Sequence, residues 1–248
     1  MNSSPLIDSR ALVEREQMSD PLRDAVDSVM RGRKATRSFL PKPVEKELVI
    51  EILEIARTAP SNSNSQPWRV YAVAGEAKEH LSQALCDAHR NRPDEYTACY
   101  KHFPDVLGEK LLARQNMFAT AYYGSLGIER SNQAARTAQT GQNFLFFGAP
   151  VGFIFTIEES LERGSWLDYG MFLQSIMLAA KARGLDTCPQ ISFVKYHEII
   201  RQQLPIAPNE IIVCGMSLGY ADQSERVNSL RLPREPIEAF TSFFGFQQ

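Results

Sequence analysis

The sequence predicts a single α+β domain. Three observations carry that expectation. Stretches with apolar residues at helical spacing are interleaved with short apolar runs that fit strands, and the helical stretches predominate. No internal repeat or low-complexity linker divides the chain. Its 248 residues suit one domain, or at most two.

Residues 1–20 are polar and aperiodic, as terminal arms are. The domain is taken to run from 25 to 248, with 1–24 as an N-terminal arm, although 21–31 suit a first helix. In residues 45–58, Leu48, Val49, Ile52, Leu53, Ile55 and Ala56 recur at helical spacing, with Pro43 and Glu45 suited to the helix start. Pro60 ends that helix, a polar loop follows, and 68–74 read as a strand. Residues 78–90 and 109–123 read as helices, and the irregular stretch 91–108 between them is a candidate lid. A helix is expected over 130–147. The continuous apolar run 151–157 after Pro150 fits a buried strand. Ser165 and Asp168 have the spacing of a capping box for a helix ending at Arg183, which Gly184 terminates. Residues 188–192 read as a connection, 195–203 as a short helix and 210–218 as a strand. The aromatic C-terminus, with Phe240, Phe243, Phe244 and Phe246, needs a surface to pack on.

Composition excludes several functions. Lys and Arg total 27 against 29 Asp and Glu, a formal charge of −2, which argues against a polyanion-binding protein and so against nucleic acid as partner. Cys86, Cys99, Cys188 and Cys214 form no CxxC pair and fit thiols in a reducing cytoplasm. The apolar stretch 137–157 is interrupted by Gln139, Gln142, Asn143 and Pro150, so no membrane span is expected. No GxGxxG, P-loop, GxSxG or HExxH motif occurs, and the four histidines are scattered; no metal site is expected.

Three polar clusters remain. From Arg31 to Lys46 there are six basic residues against one acid, a local net of +5 that includes Arg33, Lys34 and Arg37. Such a cluster is either a solvated face or a phosphate site, for which forked guanidinium groups are suited. The run Pro60-Ser61-Asn62-Ser63-Asn64-Ser65-Gln66-Pro67 is uncharged and rich in amides and hydroxyls. It is either a plain loop or a surface for a polar heterocycle. Arg226, Arg231 and Arg234, near Asn228, form a third cluster.

Taken together, RKATRSF (33–39), APSNSNSQPW (59–68), FFGAPV (146–151), DYGMFLQSIMLAAKARGLDTCPQ (168–190), GMSLGY (215–220) and RLPREP (231–236) resemble the FMN-dependent nitroreductase family, in order and spacing, from about residue 25 onward. The subgroup that reduces nitroaromatic compounds is most similar. The resemblance implies a three-layer α+β fold: a central, mostly antiparallel sheet surrounded by helices, with a domain-swapped C-terminal extension in a homodimer. It implies FMN at the dimer interface, with NADH or NADPH as electron donor and a small aromatic acceptor. Arg33, Lys34, Ala35 and Arg37 fall at the phosphate and ribityl positions, with Ala35 where the family usually has Ser. Pro60, Ser61, Asn62, Asn64 and Gln66 fall in the loop that reaches the flavin from the partner subunit. Pro189, Gln190, Ile191 and Ser192 match the segment beside the flavin ring, where backbone N–H groups of Ile191 and Ser192 lie near N5. Arg231 and Arg234 match the C-terminal phosphate contacts. No catalytic side chain is implied, because the flavin carries the chemistry by ping-pong hydride transfer. Tyr122 and Tyr123, like Tyr96, Tyr100 and Phe103, have rings able to stack on an aromatic substrate or to serve ordinary packing. The alternative on the same fold is a flavin-binding protein acting in flavin metabolism or sensing.

Overall fold

A computed structural model describes residues 20–246. The expected N-terminal arm lies, through residue 19, outside the described residues. The first helix, α1 (Pro21–Gly32), is set by Asp20, whose carboxylate accepts from the Leu22 N–H at 3.0 Å, and by Pro21 in its first turn. Six further helices follow among the described residues: α2 (Lys46–Ala56), α3 (Gly75–Asn91), α4 (Glu109–Ser125), α5 (Gln133–Gly141), α6 (Arg163–Ala182) and α7 (His197–Gln203). Four strands, β1 (Arg69–Ala74), β2 (Val151–Glu158), β3 (Asp186–Gln190) and β4 (Glu210–Gly219), make one sheet in the order β1-β2-β4-β3. Every neighbouring pair is antiparallel.

Alternation along β2 builds the core on both sheet faces. Ile154 joins Leu81, Leu85, Phe144, Phe193 and Tyr196 on the face covered by α3 and α7. Phe153 and Phe155 join Val49, Ile52, Tyr169, Phe172 and Ile176 on the face covered by α2 and α6. Helices, sheet and helices thus form the three expected layers.

Two sequence expectations change here. The 130–147 helix is broken: α5 ends at Gly141, and a 3-10 turn, Gln142–Gly148, follows. Phe146 and Phe147 take φ of 53° there, which turns both rings into the core, where a continuous helix would have put them on different faces. The strained backbone costs of order 1 kcal/mol per residue, and burial of two aromatic rings outweighs it. Residues 188–190 are not a connection but three of the five residues of β3. Proline is tolerated at Pro189 because β3 is an edge strand, pairing within the sheet only with β4.

The inner strands also need glycine. A Cβ at Gly152 would stand 2.4 Å from the Phe146 ring, and one at Gly215 would stand 2.5 Å from the Phe193 ring. Both aromatics lie flat against the sheet only because these positions lack side chains. Gly152→Ala and Gly215→Ala should therefore each destabilise the protein by about 1–3 kcal/mol through overpacking. Denaturant unfolding midpoints would measure it. Gly164→Ala, whose Cβ meets nothing within 4 Å, is the neutral control.

Candidate functional site

The basic stretch after α1 runs along the outer edge of β3. Ala35 bridges Thr187 in parallel, and the Thr36 N–H donates to the Thr187 carbonyl at 3.0 Å. Further on, Phe39 bridges Ala221, and the Asp222 N–H donates to the Ser38 carbonyl. The two ends of the chain are therefore laid side by side.

Asn228, fully buried, fastens them. Its Oδ1 accepts from the Arg37 N–H at 2.9 Å, and its Nδ2 donates to the carbonyls of Ser38 (2.7 Å) and Asp222 (2.8 Å). Its own carbonyl accepts from the Lys34 ammonium.

The result is a cavity of about 440 Å³ on which Arg31, Arg33, Lys34, Arg37, Arg231 and Arg234 converge, with Ala35 and Phe118 beside them. No acidic side chain lines it. Arg37 stacks over Phe118 and Tyr122, 5.2 and 5.0 Å from the ring centroids, and its Nη1 donates to the Ala35 carbonyl at 3.4 Å, which together fix its guanidinium plane and leave its other N–H groups for a ligand. Burial lowers the Lys34 pKa from its ordinary value; Arg231 and Lys181 push the same way, while Asp186 opposes them. Asp186 is itself held by Lys181 at 3.0 Å. A site that crowds this much positive charge without a lining carboxylate suits a dianion such as a phosphate monoester.

Pro189, Gln190 and Ile191 border a second cavity, of about 420 Å³, with Tyr100 and Trp166 on its wall. Tyr100 donates to the Val213 carbonyl at 2.6 Å and meets the Trp166 ring edge-on at 4.9 Å. Gln190 is turned inward, donating to the Asn143 carbonyl at 2.7 Å and accepting from the Ser217 hydroxyl. Ile191 and Ser192 begin a 3-10 turn, Ile191–Tyr196.

The loop Pro60–Gln66 lines neither cavity. Ser63, Asn64 and Gln66 all have positive φ, of 51°, 57° and 45°. Ser61 Oγ accepts from the Gln66 N–H at 3.1 Å, and Asp168 Oδ2 accepts from the Asn62 N–H at 3.0 Å. Trp68 stacks on Phe172 at 4.5 Å and anchors the loop's exit to α6. Asp168 is thus not a helix cap. The cap position of α6 is Glu162, and Asp168 lies one turn inside, buried and turned to the loop.

Tyr122 and Tyr123 are occupied by packing in this chain. Tyr122 is buried beneath Arg37 and accepts a hydrogen bond from Gln139 at 2.9 Å. Tyr123 carries Arg136 on its face at 3.9 Å. The sequence reading named Tyr100 as a ring able to stack on a substrate but missed Trp166 beside it, and it missed Asp168 as a loop anchor; both depend on contacts across more than sixty residues. Asn228 stood within a recognised cluster, but nothing local marked it as the clamp.

Among the described residues no helix is long and apolar enough to cross a membrane. The model of the nitroreductase family matches residues 30–220. The chain is 48% identical over 227 residues to the 4-nitrobenzoate reductase of Pseudomonas putida, spanning 92% of this chain and 99% of that protein. It is 43% identical to the nitrobenzene nitroreductase of Ectopseudomonas oleovorans, over 90% of this chain and 98% of the relative. Among solved structures, the FMN-dependent nitroreductase NfnB from Mycobacterium smegmatis in complex with NADPH superposes with a TM-score of 0.86 at 32% identity, covering 90% of this chain and 99% of that one. Sequence, fold and the two converging basic stretches agree: the chain belongs to the nitroreductase family.

Proposed function

We propose that this protein is an FMN-dependent oxidoreductase that uses NAD(P)H to reduce aromatic nitro compounds. The observation that carries the reading is the acid-free basic cavity, where two stretches from opposite ends of the chain meet beside β3. FMN fits its donor set. Arg33, Lys34, Arg37, Arg231 and Arg234 are read as holding the phosphate, with the Ala35 methyl against the ribityl chain. Pro189, Gln190, Ile191 and Ser192 are read as lying along the ring. When bound, FMN would supply the redox chemistry, accepting a hydride from the nicotinamide and delivering it to the acceptor.

The chain's own groups do the rest. Backbone N–H groups of the Ile191–Tyr196 turn offer donors to the reduced ring, and the nearby cations favour its anionic form. The cavity bordered by Tyr100, Trp166 and Leu173 has the volume and apolar walls to take a single aromatic ring and shed its water. The loop Pro60, Ser61, Asn62, Asn64 and Gln66 is largely exposed and lines neither cavity of this chain's site, so we read it as completing the site of a second copy in a homodimer. The names of the relatives at 48% and 43% identity support a nitroarene as acceptor.

Purified protein should be yellow and release FMN on denaturation. Under anaerobic conditions NADPH or NADH should bleach it, and 4-nitrobenzoate or nitrobenzene should restore the colour. Reoxidation by oxygen alone would replace this reading with a flavin carrier or sensor.

Three variants test the residue roles. Arg37→Ala should weaken FMN binding by about 1.5–3 kcal/mol, the loss of a charge-assisted contact, as read by flavin fluorescence titration. FMN affinity should fall as pH rises through the Lys34 pKa. That pKa is lowered, so the loss begins below the ordinary lysine range, and Lys34→Gln should flatten the alkaline limb. Asp168→Ala frees the Asn62 amide and should weaken FMN binding through the loop, whereas Asp168→Asn, which still accepts through its carbonyl oxygen, should retain most of it. Equal behaviour of the two would remove Asp168 from the site.

A further inference from the structure

A third cavity, of about 370 Å³, opens between α4 and α5. Asn116, Thr120, Tyr123, Ile128, Arg130 and Arg136 form its walls. It shares α4 with the basic cavity but uses another face of that helix, since Phe118 and Tyr122 turn to Arg37 while Thr120 and Tyr123 turn to Arg136. The two cavities have no lining residue in common.

The charge here is unbalanced. No acidic side chain lines the cavity, and among the described residues neither Arg130 nor Arg136 pairs with a carboxylate. Arg136 lies flat on the Tyr123 ring, 3.9 Å from its centroid. Stacking of this kind fixes the guanidinium plane and leaves its N–H edge available for a bidentate oxyanion. Two guanidinium groups facing one small space repel each other until an anion sits between them. The volume lies in the small-molecule range of roughly 300–1,000 Å³, beyond the needs of a bare ion, and Ile128 and Ala119 give the carbon body of a ligand apolar contact. Asn116 and Thr120 add neutral hydrogen-bonding groups.

We infer that this cavity is a second anion site that binds a small organic oxyanion, a carboxylate or a phosphate monoester carried on a ring. Arg130 and Arg136 grip the charged end and Tyr123 props Arg136. The site is separate from the flavin-phosphate cavity and does not rest on the FMN reading.

The test is isothermal titration of the protein as purified, with whatever it carries bound, using benzoate and, separately, adenosine 2′-phosphate. At least one probe should bind once per chain, and more weakly as salt rises. Arg130→Gln and Arg136→Gln should each weaken it about tenfold or more, the loss of one charge-assisted contact. Thr120→Glu, which keeps both arginines but brings a carboxylate to the exposed rim, should abolish binding and guards against a folding defect in Arg136→Gln. Benzoate binding alone assigns a carboxylate ligand; adenosine 2′-phosphate binding alone assigns a nucleoside phosphate. The inference is overturned if neither probe binds, if Arg130→Gln and Thr120→Glu leave binding undiminished, or if binding is lost instead in Arg37→Ala. The measurement needs no turnover, so it fails or succeeds independently of the nitroreductase assignment.

Discussion

The basic cavity depends on one neutral side chain. Asn228 holds together segments whose contacting residues are 191 positions apart, and it does so with four hydrogen bonds and no charge. An asparagine amide has an acceptor and two donors, which is what the Arg37 N–H and the carbonyls of Ser38 and Asp222 require. An aspartate would satisfy Arg37 but would face the Ser38 and Asp222 carbonyls with an acceptor where Nδ2 now donates, and it would neutralise part of the charge a phosphate needs. Leucine would leave the Arg37 N–H without its acceptor and reduce both carbonyls to one backbone donor each. Because the clamp is neutral, arginines and lysine can be brought close without an acid that would compete for the ligand.

The sheet decides where that clamp can act. β2 and β4 are buried on both faces, and their glycines let the Phe146 and Phe193 rings lie against the strands. β3 is different. It has an outer side that the chain meets only through the bridge from Ala35 to Thr187. Past that bridge, Pro189 has no N–H to offer, and Gln190 spends its side chain inward on Asn143 and Ser217. The strand end therefore presents backbone and an apolar surface, with the cations gathered a few residues upstream. A ligand with a charged end and a flat ring matches this order.

The sequence made the charges and the loop legible because each is a local feature. Six cations within residues 31–46 can be counted without knowing the fold, and so can an uncharged amide-rich run ended by Pro67 and Trp68. The apolar run at 151–157 identified the central strand for the same reason. What stayed hidden was nonlocal. Residues 188–190 have only three positions and a proline, too little for a strand unless an edge position is known to exist. The break at Gly141 follows from where Phe144, Phe146 and Phe147 must go, which the neighbouring core sets. Asp168 has the spacing of a cap, but its partner, Asn62, is 106 positions away. Tyr122 lies in a stretch that reads as a substrate wall, yet Arg37 claims its face.

The strained loop bears on the proposed split of the site between two copies. Three non-glycine residues between Ser63 and Gln66 sit in the left-handed region, at a cost of order 1–3 kcal/mol each. A plain connection from α2 to β1 has no need of that strain. Here it is opposed by the Asp168 carboxylate, the Ser61 hydroxyl and the Trp68–Phe172 stack, all of which fix the backbone and none of which occupies the side-chain amides of Asn62 and Asn64. The loop thus holds its hydrogen-bonding groups in one exposed conformation, outside this chain's own basic cavity. In the homodimer proposed above, that strain would serve a recipient outside the protomer. A second copy bringing its own basic cavity to this loop would use both the geometry and the free amides at once. Leu22, Val26 and Met30 leave a further apolar stripe exposed along α1, a helix with no buried residue among those described.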